Sequence, residues 1–336
     1  MHALLTVVIA LTASAPAGEA PGIWMCHRDM DELAKHPDQW AFVREHISGI
    51  QVYIDQFTRY DPADMTALAE LVREADLKVS VECGGLLDFG PVGPGIGAWS
   101  AEHELAKIDR YLQAGGVVHY LNMDGPVRRM MFPAEGRTPM TDLDAIADEL
   151  VDYMKHVRER IPDIEFFLLT NFPNWGWKGE PDYHARGEDR MNWGDYEPVV
   201  RTMIRKTREA GMPLRAISCD NPFEYAAGTR PSANLEDPTA IDWMARIAEL
   251  EQIARDEGLE FNMIINSEVG GQTSAEAFHR ETLRYLDHYL NSGATPTRLY
   301  IQSWYPHPEA VLPEDAPHTM TNLVADVIRR PVHIER

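Results

Sequence analysis

The sequence predicts a (β/α)8 barrel in a single domain, the TIM-barrel architecture of the α/β class. Three observations in the 336-residue chain predict it. Short apolar runs alternate eight times with longer amphipathic stretches, which is the pattern of repeated βα units. Within the runs, polar side chains fall on one face and aliphatic ones on the other, as alternation along a strand requires. The runs also finish in polar or aromatic residues, where a parallel barrel gathers its working groups.

The strands are read at Gly22–Cys26, Ile47–Asp55, Lys78–Cys83, Val117–Asp124, Ile164–Asn171, Leu214–Asp220, Phe261–Glu268 and Arg298–Trp304. Helices are expected over Met65–Ala75, Ala101–Ala114, Thr141–Glu159, Tyr196–Ala210, Ala240–Glu257, Ala275–Ser292 and Thr319–Arg329, each with apolar residues at three- and four-residue intervals. The steps Ala210-Gly211 and Glu257-Gly258 place glycine where a helix stops in the left-handed conformation. Inward positions include Gln51, Tyr53, Ser80, Glu82, Tyr120, Asn122, Asp124, Ser218, Asp220 and Gln302. Val52, Ile54, Val79, Val81, Ile217, Ile265, Leu299 and Ile301 face the helices.

Composition narrows the function. The 31 Lys and Arg against 53 Asp and Glu give a formal charge of −22, which argues against nucleic acid or an anionic membrane surface as partner. Past the amino terminus, no stretch has the roughly 18 to 20 apolar residues of a membrane span. The run Leu4–Leu11, followed by Ala15-Pro16-Ala17, reads as a signal peptide over residues 1–17, so a secreted or periplasmic protein is expected. Cys26, Cys83 and Cys219 are too few and too scattered for a disulfide framework; buried thiols are expected, with one disulfide open. No cofactor motif occurs, and the histidines have no metal-ligand spacing.

The strand ends collect Asp55, Glu82, Asp124, Asn171, Asp220, Glu268 and Trp304, with Asn221 beside Asp220. Converging carboxyl groups suit acid–base or nucleophilic work. The loop Asn171-Phe172-Pro173-Asn174-Trp175-Gly176-Trp177 adds rings whose flat faces fit a sugar, so Trp175, Trp177 and Trp304 are expected to touch substrate. In Asn266-Ser267-Glu268-Val269-Gly270-Gly271, little helix follows the acid, which favours a functional role for Glu268 over a capping one.

These residues resemble the TIM-barrel glycoside hydrolases: acids after strands four and seven, aromatic loops around them, and a Trp ending strand eight. In the large retaining group of that family, an Asn-Glu pair ending strand four supplies the acid/base and a Glu ending strand seven is the nucleophile. Glu268 matches the strand-seven position. The strand-four end reads Asn122-Met123-Asp124, a departure in both residue type and spacing. The resemblance implies a secreted enzyme acting on an oligo- or polysaccharide, with Asp124 and Glu268 as the first catalytic pair and Glu82 and Asp220 as substitutes. It implies substrate contacts from Asp55, Glu82, Asn171, Trp175, Trp177, Asp220, Asn221 and Trp304. Retention or inversion stays open, since it depends on carboxyl separation.

Three other readings stand beside it. A metal-dependent sugar isomerase or hydrolase would use the same acids as oxygen ligands. A phosphate-binding barrel would use Gly270-Gly271 after strand seven. A non-catalytic carbohydrate-binding barrel would need the rings and no perturbed carboxyl pair.

Overall fold

A computed structural model describes residues 20–180, 182–183, 194–232 and 235–330. Eight parallel strands close on themselves in chain order, β1 Gly22–Cys26, β2 Gly49–Tyr53, β3 Lys78–Cys83, β4 Tyr120–Asp124, β5 Glu165–Asn171, β6 Ala216–Asp220, β7 Glu260–Ile265 and β8 Arg298–Gln302. Closure is completed by β1 pairing with β8, Gly22 against Arg298 through Cys26 against Gln302. The barrel expectation holds. The proposed leader, residues 1–17, lies outside the described residues.

The principal outer helices are α1 Ala41–His46, α2 Pro62–Glu74, α3 Ile96–Gln113, α4 Leu143–Arg160, α5 Tyr196–Glu209, α6 Trp243–Asp256, α7 Ala275–Asn291 and α8 Met320–Arg329. Each turns an apolar stripe inward; in α5 Val199, Val200, Met203 and Ile204 are buried. Burying such a side chain contributes roughly 1.5–3 kcal/mol, which anchors the ring to the sheet. Gly211 and Gly258 end α5 and α6 with φ of 71° and 70°, as their positions predict. Among the described residues no helix is long and apolar enough to cross a membrane. The three cysteines are free and buried.

The strand boundaries need correction at three ends that bear on the site. β2 stops at Tyr53, so Asp55 lies beyond the strand and precedes the short helix Gln56–Arg59. β7 stops at Ile265, and Glu268 is the first residue of the short helix Glu268–Thr273, capped by Ser267 Oγ accepting from the Gly270 amide. The helix that follows this acid is short, six residues, and its cap is Ser267 and not Glu268. β8 stops at Gln302, leaving Trp304 in the loop.

The barrel interior changes character along its axis. At the N-terminal end Arg298 pairs with Glu260 and lies 5.2 Å from the ring centroids of both Tyr120 and Phe167. The middle is a separate apolar cluster of Trp24, Leu169, Ile264 and Tyr300, with the Trp24 and Tyr300 rings stacked at 5.3 Å. Above it Gln51, Ser80, Asn122 and Gln302 are buried polar side chains. The packed layers make the barrel a solid floor under a polar bowl.

Candidate active site

The bowl is built from the floor upward. Gln51 Nε2 donates to Glu82 Oε2 at 2.9 Å and to Gln302 Oε1 at 2.9 Å, while Ser80 and Asn122 donate to Gln51 Oε1 at 3.1 and 3.0 Å. Gln302 Nε2 donates to the same Glu82 oxygen at 2.7 Å. Two amides, from β2 and β8, thus hold the carboxyl group, and side chains of β3 and β4 fix the Gln51 amide in turn. Glu82 keeps an accessible edge toward the bowl. Burial pushes its carboxyl up to about 8, and the charges of Asp124 and Asp220 add to the push against the Gln302 bond.

Asp220 repeats the arrangement on the other side. It is 4% exposed. Asn171 Nδ2 and Asn266 Nδ2 each donate to it at 3.2 Å, one to either oxygen. Burial again dominates, and with Asp124 and Glu268 nearby it lifts the Asp220 carboxyl to about 7. Both floor acids therefore carry a proton over a wide span of pH in which ordinary carboxyl groups have lost theirs.

The other two acids have guanidinium partners. After β4, Gly125 and Pro126 start the short helix Pro126–Met131, which brings Arg129 back over the strand end. Its Nε donates to the Asp124 carbonyl at 3.0 Å and its Nη2 to Asp124 Oδ2 at 3.1 Å, with Asp88 3.7 Å from Nη1. Glu268 is paired with Arg230 at 2.7 Å, and Arg230 also lies over the Tyr225 ring. Tyr305 is buried close to Asp220 and Glu268, and burial and their charges push its hydroxyl upward.

Of the expected site residues, Glu82, Asp124, Asn171, Asp220 and Glu268 are brought together by direct bonds or mutual charge. Trp304, 41% exposed with its ring 4.7 Å from Tyr305, stands at their margin. Asp55 does not join them; its carboxylate faces Lys107 of α3 at 2.7 Å and is open to solvent. Asn221 is wholly buried beside Tyr285 of α7, behind the strand rather than in the bowl. Trp175 and Trp177 are corrections: at 2% and 3% exposure they are packing residues. The Trp175 ring meets Tyr196 at 5.2 Å, and Trp177 Nε1 donates to Glu249 at 2.7 Å.

Arg129, Arg230, Glu224 and Asn266 complete the site. Asn266 lies two positions before Glu268, so strand alternation puts the two on one face of the sequence-read strand. Arg129 was legible in principle, since Gly125-Pro126 announces a helix start that carries the following arginines one turn over Asp124. Nothing local marks Glu224 or Arg230. The phosphate reading has no support in the geometry: a Cβ on Gly271 would come within 2.5 Å of the Tyr305 ring, and one on Gly270 within 2.7 Å of Ser267 Oγ. Those glycines serve close packing, and acids crowd the turn. Among the described residues, no three His, Cys, Asp or Glu side chains converge as metal ligands.

Comparison with solved structures finds similar proteins at low identity, two of them with a TM-score above 0.5. A glycoside hydrolase family 5 enzyme, GH5_18 from Streptomyces cattleya, is 12% identical with a TM-score of 0.53, covering 93% of this chain and 81% of that one. A psychrophilic family 10 endo-β-1,4-xylanase is 11% identical with a TM-score of 0.52, covering 91% and 96%. A 2,3-dimethylmalate lyase of the PEP mutase/isocitrate lyase superfamily is 14% identical with a TM-score of 0.40, covering 84% and 75%. No protein-family model and no curated protein sequence matches the chain. At these identities the likeness is one of fold.

Proposed function

We propose that the protein is a glycoside hydrolase whose proton donor is Glu82 and whose anionic reactant is Glu268. The observation that carries the reading is the division of the four acids of the bowl into two that hold their protons and two that face arginines. Glycoside hydrolysis needs one carboxyl group of each kind. Glu82 is preferred to Asp124 as donor because it is protonated at neutral pH and reaches the bowl, whereas the Asp124 carboxylate is engaged by Arg129. It is preferred to Asp220 because Asp220 is nearly inaccessible.

In this mechanism the proton of Glu82 passes to the glycosidic oxygen as the bond to the anomeric carbon breaks, and the electron pair stays on that oxygen. Glu268, on the strand-seven side of the barrel, attacks the anomeric carbon or takes a proton from an attacking water. Asp124 raises the proton affinity of Glu82, and Trp304 offers a sugar a ring at the margin. The binding-only alternative is weaker on one observation: two of the three tryptophans it would rely on are buried. The substrate is an oligo- or polysaccharide, met outside the cytoplasm after removal of residues 1–17.

Purified protein screened on aryl glycosides and polysaccharides, with and without chelator, tests the reading. Hydrolysis that survives chelation is expected and should be lost in Glu268→Gln on every substrate and in Glu82→Gln on polysaccharides, whose leaving groups need a proton. Binding without turnover, or turnover that needs metal, would overturn it. Amino-terminal sequencing of protein recovered outside the cytoplasm should begin after residue 17; a start at Met1 would contradict export.

A further inference from the structure

The segment from Phe223 to Arg230, between β6 and α6, holds Glu268 through Glu224 and Arg230, with Tyr225 also against its carboxylate. Glu224 is 6% exposed and accepts the Ser267 hydroxyl on one oxygen and the Glu268 amide on the other, the latter at 3.0 Å. Arg230 takes the Glu268 side chain, Nη2 to Oε1 at 2.7 Å. The two grips are tied to each other, because the Thr229 and Arg230 amides both donate to the Glu224 carbonyl, at 2.9 and 3.0 Å. One turn of chain therefore fixes the backbone and the carboxylate of the same residue.

A helix of six residues has little stability of its own, since nucleation fixes several residues for few hydrogen bonds. Its first amides need external acceptors. Ser267 Oγ satisfies the Gly270 amide at 2.8 Å, and Glu224 satisfies the Glu268 amide and orients the Ser267 hydroxyl that caps the turn. A buried carboxyl group placed among acids is costly unless it is bonded. Here it is spent on two donors next to the proposed reactant, where any small neutral acceptor would have capped the helix.

We infer that Glu224 is a positioning residue for Glu268, acting through the Ser267-Glu268 turn, and that Arg230 is its side-chain counterpart. This rests on the proposed role of Glu268. The arrangement predicts that removing either grip moves the carboxylate without removing it, so turnover suffers more than binding. A misplacement of about 1 Å is enough to cost on the order of 100-fold.

The test compares Glu224→Gln, Ser267→Ala, Arg230→Met and Glu268→Gln by amide hydrogen exchange, thermal melting and, on a glycoside that the parent cleaves, kcat and KM. In Glu224→Gln the amides of the Glu268–Thr273 turn should exchange about tenfold faster or more. Its kcat should fall roughly 10- to 100-fold with KM nearly unchanged. Glu224→Asp, which keeps the carboxylate, should recover part of both. Ser267→Ala gives the exchange result should Glu224→Gln fold poorly. Arg230→Met, at a part-exposed position, should lower kcat without changing exchange of the turn.

Unchanged exchange in both Glu224→Gln and Ser267→Ala would overturn the inference. So would faster exchange with parental kcat on a substrate whose cleavage Glu268→Gln abolishes. Failure of the functional reading is separate, since it shows as turnover retained by Glu268→Gln.

Discussion

The floor and the rim of the bowl carry the same functional group in different surroundings. Glu82 and Asp220 on the floor receive only neutral amide donors, from Gln51 and Gln302 in one case and from Asn171 and Asn266 in the other. Asp124 and Glu268 on the rim receive guanidinium groups, from Arg129 and Arg230. An amide dipole does not offset the loss of water around a full charge, so the floor acids respond to burial by keeping their protons. The rim acids instead have an opposite charge within 4 Å of a carboxylate oxygen. One bowl thus holds carboxyl groups in two settings, those bonded by amides from within and just beyond the strands and those met by arginines from the segments that follow the strands.

The largest effect expected from breaking this division is on turnover. Glu268→Gln should lower kcat by about 1,000-fold or more on every cleaved glycoside, since a reactant is lost. Glu82→Gln should cost about 100- to 10,000-fold where the leaving group is poor and much less where it is an activated phenol, which leaves without a proton. Equal losses on both substrate types would remove Glu82 as donor. A next test moves from chemistry to packing: Trp175→Ala should destabilise the fold by roughly 3–5 kcal/mol in denaturant unfolding, as expected for a deleted core ring. A selective rise in KM with unchanged stability would restore Trp175 to the substrate site.

A third prediction concerns stability against pH. The carboxyl pKa of Asp220 is raised in the folded chain, to about 7, above its unfolded value near 3.9. Its contribution is therefore fully present below about pH 4 and is lost as pH rises toward 7. Asp220→Asn should melt above the parent at pH 9, by a margin on the order of a few kcal/mol that shrinks toward pH 4. A constant margin across that range would contradict the account. The smallest effect is at the margin of the bowl, where Trp304→Ala should raise KM by roughly 5- to 10-fold with kcat nearly unchanged, in keeping with the loss of one ring contact. An unchanged KM would take Trp304 out of the site.

The barrel was legible because its signal is local and repeated. Polar parity in β4 and the Gly stops after α5 and α6 can be read within a few residues. The floor acids were legible as polar residues at or near strand ends, but the protonation of Glu82 was not, since it depends on burial in the closed barrel and on the charges of Asp124 and Asp220 brought near from other strands. Glu268 was read as the end of a strand because Asn266 and Glu268 share one face if the alternation of the preceding run is continued. It begins a helix because Glu224, 44 positions earlier, accepts its amide. Trp175 and Trp177 looked like loop rings, and only the folding of that loop against Tyr196 and Glu249 buries them. Asp55 had the right spacing from Tyr53 but lies past the strand, where Lys107 claims it.

The central claim is that Glu82 holds its proton at neutral pH while it remains accessible from the bowl. Carbon-13 NMR titration of side-chain-labelled glutamate, with Glu82→Gln assigning the resonance, measures this directly and needs no substrate. One carboxyl resonance with a midpoint near 8 is expected, and it should disappear in the variant. A Glu82 midpoint in the ordinary range for glutamate, about 4 to 5, would contradict it.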